Sequence, residues 1–444
     1  MSTSGLKAVA AHDVERSAIR KTAARIVPVV VLLYIVSYVD RINIGFAALT
    51  MNSDLGIASD VFGLAAGIFF IGYFLFELPS NLLMVRFGAR RWIARILLTW
   101  GLLSCATAFV TGEKSFLVLR FLLGVAEAGF FPGIIFYLND WFPARYRGRI
   151  LAAFMFALPL SLAVGAPLST ALLGLDGAFS LRGWQWMFLI EGLPPVLLTV
   201  VALKLLKNSP DEAHWLSHDE RRWLTAELAR ERAAIHMPNV SPLRIALASP
   251  VVLVLAFVYF CATSANLGLS FFLPQMLREQ GYSIVESGWI TSLTYVAGSV
   301  GMIGFGYLSD RLRGHYGCLV ATLLIAVAGL VGTAWFDDSV WGIVAMSVAA
   351  IGILGFKSPF WGVPSGFLSG PAAAAAIASI NSIGNLGGFA GPFLLGAVRQ
   401  TSGDYRIGLY VLAVGLLISA LAVRGPARRP ESRATWCAVR RTRR

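Results

Sequence analysis

Charge is what this 444-residue chain has least of: Asp, Glu, Lys and Arg together make up 14% of it, against 57% hydrophobic residues. A soluble protein of this length needs a far larger charged surface, which excludes a large globular enzyme. Alternating ten-residue segments are missing too, so an outer-membrane barrel is excluded. Cysteine is sparse. Cys105, Cys261, Cys318 and Cys437 are scattered, without metal-ligand spacing or obvious pairing, and read as free thiols. No metal cluster, cofactor motif or nucleophile–base set is visible. The glycine-rich stretches GVAEAGFFPG and GNLGGFAG lack the Lys-Ser/Thr of a phosphate loop and lie inside apolar runs, where close helix packing explains them. The first apolar run has no small-residue cleavage site and contains an acid and a base, so it reads as a retained helix, not a signal peptide.

What is present is a series of apolar runs of about 20 residues, each long enough to span roughly 30 Å of hydrocarbon as a helix. We read twelve: about 26–50, 60–84, 92–111, 116–139, 150–173, 184–206, 250–273, 288–309, 317–336, 340–364, 372–397 and 407–424. The expected fold is an all-α polytopic membrane protein with twelve transmembrane helices in two six-helix bundles. The expected layout is a tail over 1–25, a first bundle over 26–206, a central loop over 207–249, a second bundle over 250–424 and a basic tail over 425–444. Within the loop, Ser217 and Glu220 in SHDERRWLTAELARER form a capping box that starts a short surface helix.

The net charge of +13 does not indicate nucleic acid, because basic residues sit at the ends of apolar runs and in the tails. One side carries nine loop cations (Arg86, Arg90, Arg91, Arg95, Arg145, Arg147, Arg149, Arg311, Arg313) and both basic tails. The other carries five (Lys114, Arg182, Arg278, Arg399, Arg406) with acids at Asp54, Asp60, Asp337 and Asp338. Both termini are therefore expected in the cytoplasm, with the protein in the inner membrane of a bacterium.

Charges inside the spans carry the functional signal, since they face a bundle interior or a wet cavity and mark ion or substrate paths. Asp40 lies about 14 residues into the first span, roughly 20 Å deep. Asn43 shares its face, and Arg41 is turned about 100° away. Arg120 and Glu127 are seven apart on one face of the fourth span. Arginine keeps its charge and offers a planar fork to a carboxylate, so Arg41 and Arg120 are candidates for binding an anion. Asp40 and Glu127 can gain and lose a proton, which suits them to proton coupling. The alternative is that Asp40–Arg120 or Arg41–Glu127 are structural ion pairs. Glu77 and Glu191 also lie within spans, with a gate, supporting or snorkelling role open for each. In the second half, Asn381 and Asn385 share a face at i and i+4, and Trp361 sits in KSPFWGVPSG. Amides suit a hydroxylated acid and an indole a hydrocarbon part, against interhelical bonding and an interfacial belt. Lys357 snorkels or meets a second carboxylate.

GYLSDRLRG (306–314) and NLLMVRFGARR (81–91) are offset by 225 residues, which points to two related halves. The first of these resembles the loop motif G-x-x-x-D-R-x-G-R-R of the major facilitator superfamily through Gly306, Asp310 and Arg311. In the other copy Asn81 replaces the Gly and Val85 the Asp, while Arg86, Gly88, Arg90 and Arg91 remain. The stretches YVDRINIGFA, GIFFIGYFLFELPSNLL, RFLLGVAEAGFFPG, WQWMFLIEGLPP and INSIGNLGGFAGP are similar to the anion:cation symporter branch. Within it they resemble bacterial permeases for tartrate, phthalate and 4-hydroxyphenylacetate, over about residues 20–425. The resemblance implies proton coupling at Asp40 and Glu127, a polar network near the substrate at Arg120, a site-lining role for Tyr73, and a gate lock at Arg86, Arg90, Asp310 and Arg311. The expected activity is proton-coupled uptake of an organic carboxylate by a monomer, with protons and the small acid as partners. A sodium-coupled carrier or an exporter of organic acids is the alternative in the same class, and a membrane enzyme or transport-free receptor the alternative outside it.

Overall fold

The apolar runs fold into helices throughout the computed structural model, which describes residues 3–233, 249–312, 315–336, 339–367 and 370–427. The tail beyond 427, with Cys437, and the linker over 234–248, Arg313, Asp337 and Asp338 lie outside the described residues. The three remaining cysteines are free.

The first half comprises α1 (Thr3–Leu55), α2 (Ser59–Phe87), α3 (Ala89–Thr107), α4 (Glu113–Glu127), α5 (Phe130–Trp141), α6 (Ala144–Met155), α7 (Ala157–Leu173) and α8 (Gly183–Leu205). A surface helix, α9 (His218–Ala233), follows. The second half comprises α10 (Pro250–Glu279), α11 (Ile284–Leu312), α12 (His315–Trp335), α13 (Val340–Gly355), α14 (Lys357–Phe367), α15 (Gly370–Asn385), α16 (Gly387–Ser402) and α17 (Arg406–Ala427). Nine stretches of the described residues are long and apolar enough to cross a membrane. The helices make twelve crossings in two sets of six, because four spans are broken: α4/α5, α6/α7, α13/α14 and α15/α16. Two breaks follow from proline. Pro159 and Pro359 have no N–H for the carbonyls of Met155 and Gly355, and the helix bends at Phe156 and Phe356. In the fourth span the chain turns through Gly129, whose φ of 81° is open to glycine at little cost.

α1 extends the first span well past the apolar run into residues 3–25. Its outer turns are tied down by Glu15 to Arg145 (2.6 Å) and to the Tyr146 hydroxyl, and by Ser17 and Lys21 to Glu220 (2.6 and 2.7 Å). Glu220 also caps α9: its carboxylate accepts the Ser217 N–H (2.8 Å), and the Ser217 hydroxyl accepts the Glu220 N–H (3.3 Å). An even number of crossings brings Ala427, at the end of α17, to this same side.

Helices from the two halves meet in pairs that mirror the internal repeat: α2 with α16, α7 with α11, and α1 with α10. The approach is closest on the side away from the termini. A Cβ on Gly63 would lie 2.5 Å from the Pro392 carbonyl oxygen, and one on Gly396 would lie 2.3 Å from that of Ser59. One on Gly288 would lie 2.3 Å from the Thr170 hydroxyl. Across the same seam the Ser292 hydroxyl donates to the Ala163 carbonyl (2.6 Å). Real Cβ atoms do not come that close, so only glycine lets these backbones pack and seal that side. On the termini side the corresponding half-helices α6 and α14 pack within their own halves.

Candidate functional site

Asp40 and Arg41 leave α1 in different directions. Asp40 is 2% exposed and turns into the first half, towards α3. There Trp100 Nε1 donates to Oδ2 (2.6 Å), the Ser104 hydroxyl donates to Oδ1, and Asn43 Nδ2 lies 3.4 Å from Oδ1. Arg41 faces the other way and forms an ion pair with Glu127, whose Oε1 also accepts the Ser37 hydroxyl (2.7 Å). Of the two pairings open from the sequence, the structure makes Arg41–Glu127. Asp40 is instead held by neutral donors. Glu127 is the last residue of α4, immediately before the Gly129 turn, so the break fixes where its carboxylate points.

Aromatic rings close around the cations. The Arg41 guanidinium lies 5.3 Å from the centroid of Phe69, 5.5 Å from Tyr73 and 5.9 Å from both Tyr38 and Phe70. Arg120, 1% exposed, lies 5.1 Å from Phe69, so this one ring serves both guanidiniums. Arg120 Nε reaches only the Ala65 carbonyl, at 3.4 Å, and its Nη2 is buried with no acceptor among the described residues. A buried cation left in that condition is costly, and an incoming anion would relieve it.

The second half brings Lys357 to the same centre. It opens α14 after the Phe356 bend, is half-buried, and lies close enough to Arg41 for their charges to repel. Trp361, one turn on, meets Tyr259 at 5.3 Å and Phe360 at 5.1 Å, and Tyr259 stacks on Phe360 at 5.2 Å. Asn381 and Asn385 are half-buried on α15 and make no hydrogen bond among the described residues. Gly384 between them presses on the Tyr259 ring. Glu77, one turn from Tyr73, is half-buried with Oε2 unpartnered among the described residues. Glu191, 4% exposed, accepts the Ser169 hydroxyl (2.8 Å) and lies beside Asn43. These two acids are thus on opposite sides of the Asp40–Glu127 centre, and neither forms an ion pair among the described residues.

The profile of the Major Facilitator Superfamily matches residues 30–392, most of the chain. The protein belongs to that family. It is a multi-pass membrane transporter and not an enzyme. A "Putative tartrate transporter" of Agrobacterium vitis is 48% identical over 413 residues, covering 93% of this chain and 92% of the relative. A "Quinolone resistance transporter" of Acinetobacter baumannii is 41% identical over 411 residues, covering 92% and 94%. Among solved structures, a bacterial homolog of the human lysosomal transporter Spinster superposes with a TM-score of 0.74 at 17% identity, covering 91% of this chain and 97% of that one. That similarity establishes the fold.

In this superfamily member the loop-motif residues lie on the termini side. Arg90 donates through Nε to the Leu203 carbonyl (2.6 Å), and its N–H to Asn208 (3.1 Å), which ties α3 to the end of α8. Arg86 is exposed beside the Phe87 ring, and Arg311 reaches the Tyr307 hydroxyl (3.3 Å). Asp310 is exposed and makes no hydrogen bond or ion pair among the described residues. None of the four reaches the opposite half in this conformation, which is sealed on the other side.

Sequence reasoning did not find Trp100, Ser104 or Ser37. Trp100 and Ser104 stand at i and i+4 on the third span, so two polar tips on one face of an apolar run were the available signal. Ser37 is one turn before Arg41 in SYVDR and belongs to the same face.

Proposed function

We propose that the protein carries an organic carboxylate anion together with a proton, by alternating access, into a bacterial cell. The observation that carries this reading is the Arg41–Glu127 pair beside the unsatisfied Arg120. With Asp40 and Glu127 both ionised, their charges balance those of Arg41 and Arg120. A proton on Glu127 removes the partner of Arg41 and leaves two guanidiniums free to take a carboxylate in bidentate fashion. Anion and proton then favour each other's binding, because each neutralises the charge that would oppose the other. With both bound the centre is again neutral, whereas either alone would leave it charged, and this lowers the cost of closing the halves around the loaded site.

The proposed roles are proton coupling for Glu127 and Asp40, anion binding for Arg41 and Arg120, and substrate contact for Tyr73, Asn43, Trp361, Asn381 and Asn385. Lys357 supplies a second cation for a dicarboxylate. Hydroxylated dicarboxylates are the favoured class, supported by the tartrate name of the 48% identical relative. A single chain supplies both faces of the centre, which supports action as a monomer. The loop asymmetry supports cytoplasmic termini in the inner membrane. The quinolone-resistance name of the 41% identical relative favours one rival, an exporter, and a sodium-coupled carrier is a second.

The test is uptake of labelled tartrate into proteoliposomes under an imposed proton gradient, with a sodium gradient as a separate arm. Wild type is expected to accumulate the label with the proton gradient alone. Glu127→Gln should lose accumulation and keep counterflow exchange. A Glu127→Gln protein that concentrates tartrate as well as wild type does would overturn the assignment, and accumulation driven by sodium alone would replace the proton.

A further inference from the structure

On the termini side, outside the central site, a cavity of about 690 Å³ opens between the first and sixth spans. Arg25 of α1 and Lys204 and Lys207 at the end of α8 line it, with His214 beyond them and no acidic residue. None of the three cations forms an ion pair among the described residues. The carboxylates nearest along the chain are engaged elsewhere: Asp211 accepts the Thr225 hydroxyl (3.1 Å) and Glu212 the Asn208 N–H (3.4 Å). The back wall is fixed. Trp215 stacks on Trp141 at 6.0 Å, the Arg25 guanidinium lies 5.3 Å over the Trp215 ring, and the indole N–H has no acceptor among the described residues.

Position in the membrane decides what such a cavity can take. Arg25 immediately precedes the apolar run of α1, and Lys204 and Lys207 end that of α8, so all three sit at headgroup level. The wall continues through Pro28 and Leu205 into exposed apolar faces, with Leu32 on α1 and Leu197 and Val200 on α8. A headgroup among the cations therefore has its acyl chains against hydrocarbon-facing side chains. The absence of an acid from the lining selects the headgroup further. A zwitterionic lipid would bring an ammonium with nothing to meet it, whereas an anionic one brings only the phosphodiester that the cations satisfy. We propose that this cavity binds the headgroup of an anionic phospholipid from the leaflet on the termini side, held by Arg25, Lys204 and Lys207. A lipid there would join α1, α8 and the start of the central linker.

The experiment compares the full-length protein with an R25Q/K204Q/K207Q variant and an R91Q/K114Q/R222Q control that loses the same charge elsewhere. Binding is read by native mass spectrometry and by thermal stabilisation on adding phosphatidylglycerol, phosphatidylcholine or inorganic phosphate. Each basic residue beside an anionic headgroup is worth about fivefold in affinity, so the triple variant should bind phosphatidylglycerol roughly a hundredfold more weakly. The control should match wild type, and phosphatidylcholine and inorganic phosphate should stabilise neither. Undiminished phosphatidylglycerol binding by the triple variant would overturn the proposal. So would phosphatidylcholine binding as tightly, or inorganic phosphate stabilising as well, since the latter would mark a soluble-anion site. If the triple variant does not fold in phosphatidylcholine alone, Lys204→Gln and Lys207→Gln singly should each show about a fivefold loss.

Discussion

Gly63→Ala should push the transporter out of the conformation described here. The new Cβ would lie 2.5 Å from the Pro392 carbonyl oxygen, and ordinary contact begins at 3.4 Å. The α2–α16 pair must therefore separate by about 0.9 Å, and the obstacle is backbone, which cannot rotate away. Overpacking of this kind costs about 1–3 kcal/mol. If the halves part here when the protein opens to the side away from the termini, that cost falls on the sealed state alone. The balance then moves by about 5- to 150-fold towards the open one. The assay is labelling of Phe70→Cys in a background without native cysteines, using a membrane-impermeant maleimide from the side away from the termini. Phe70 lies beneath the seam, in contact with Gly388. Its labelling rate should rise in Gly63→Ala, and again in Gly63→Ala/Gly396→Ala, since a Cβ at Gly396 meets the Ser59 carbonyl at 2.3 Å. Equal labelling with and without the alanines, in variants that melt at the wild-type temperature, would refute the idea that these glycines hold the seal.

Two further outcomes follow from the polar contacts. Trp100→Phe keeps the ring but removes the indole donor from Asp40 (2.6 Å); loss of a hydrogen bond to a charged group costs about 1.5–3 kcal/mol, read as a lower melting temperature together with slower proton-driven uptake. Burial raises the Glu220 carboxyl's pKa, but the Lys21 ammonium, the Ser17 hydroxyl and the Ser217 N–H outweigh it and hold that pKa down to about 2, from an ordinary 4.5. Because the folded value is the lower one, the brace between α1 and α9 is at full strength above about pH 4.5 and is lost as pH falls towards 2. Proteolysis of the central linker should accelerate over that window in wild type and be fast at every pH in Glu220→Gln. A flat profile in wild type would remove Glu220 from the brace.

The spans were legible in the sequence because hydrocarbon tolerates few residue types, and a run such as 250–273 can do little else. The α9 cap was legible for a similar reason, since Ser217 and Glu220 act over three residues. Partners were not. Nothing in YVDRIN says that Asp40 turns to Trp100 and Arg41 to Glu127, because that depends on how α1 is rotated against α3 and α4. Asp40–Arg120 remained an equal choice until the helices were placed. The turn at Gly129 was hidden as well: apart from Glu127, GVAEAGFFPG is apolar and reads as one continuous span. The broken fourth span, however, is what ends α4 at Glu127. The cations of the termini-side cavity were not singled out: Arg25 fell in the basic tail, Lys204 in the sixth span and Lys207 in the central loop, yet they converge from segments about 180 residues apart.

The seam between the halves is held by shape and by the Ser292–Ala163 hydrogen bond, not by ion pairs among the described residues. Among the described residues every ion pair lies within one half or reaches the central linker, and the side away from the termini closes by glycine against backbone. Electrostatic screening acts on charges, so moderate added salt has little purchase on that closure. The opposite mouth, with Arg86, Arg91, Asp310 and Arg311 exposed, is open to it. The two faces of the transporter are therefore set by different variables, one by steric volume and the other by the ionic composition of the solution it faces.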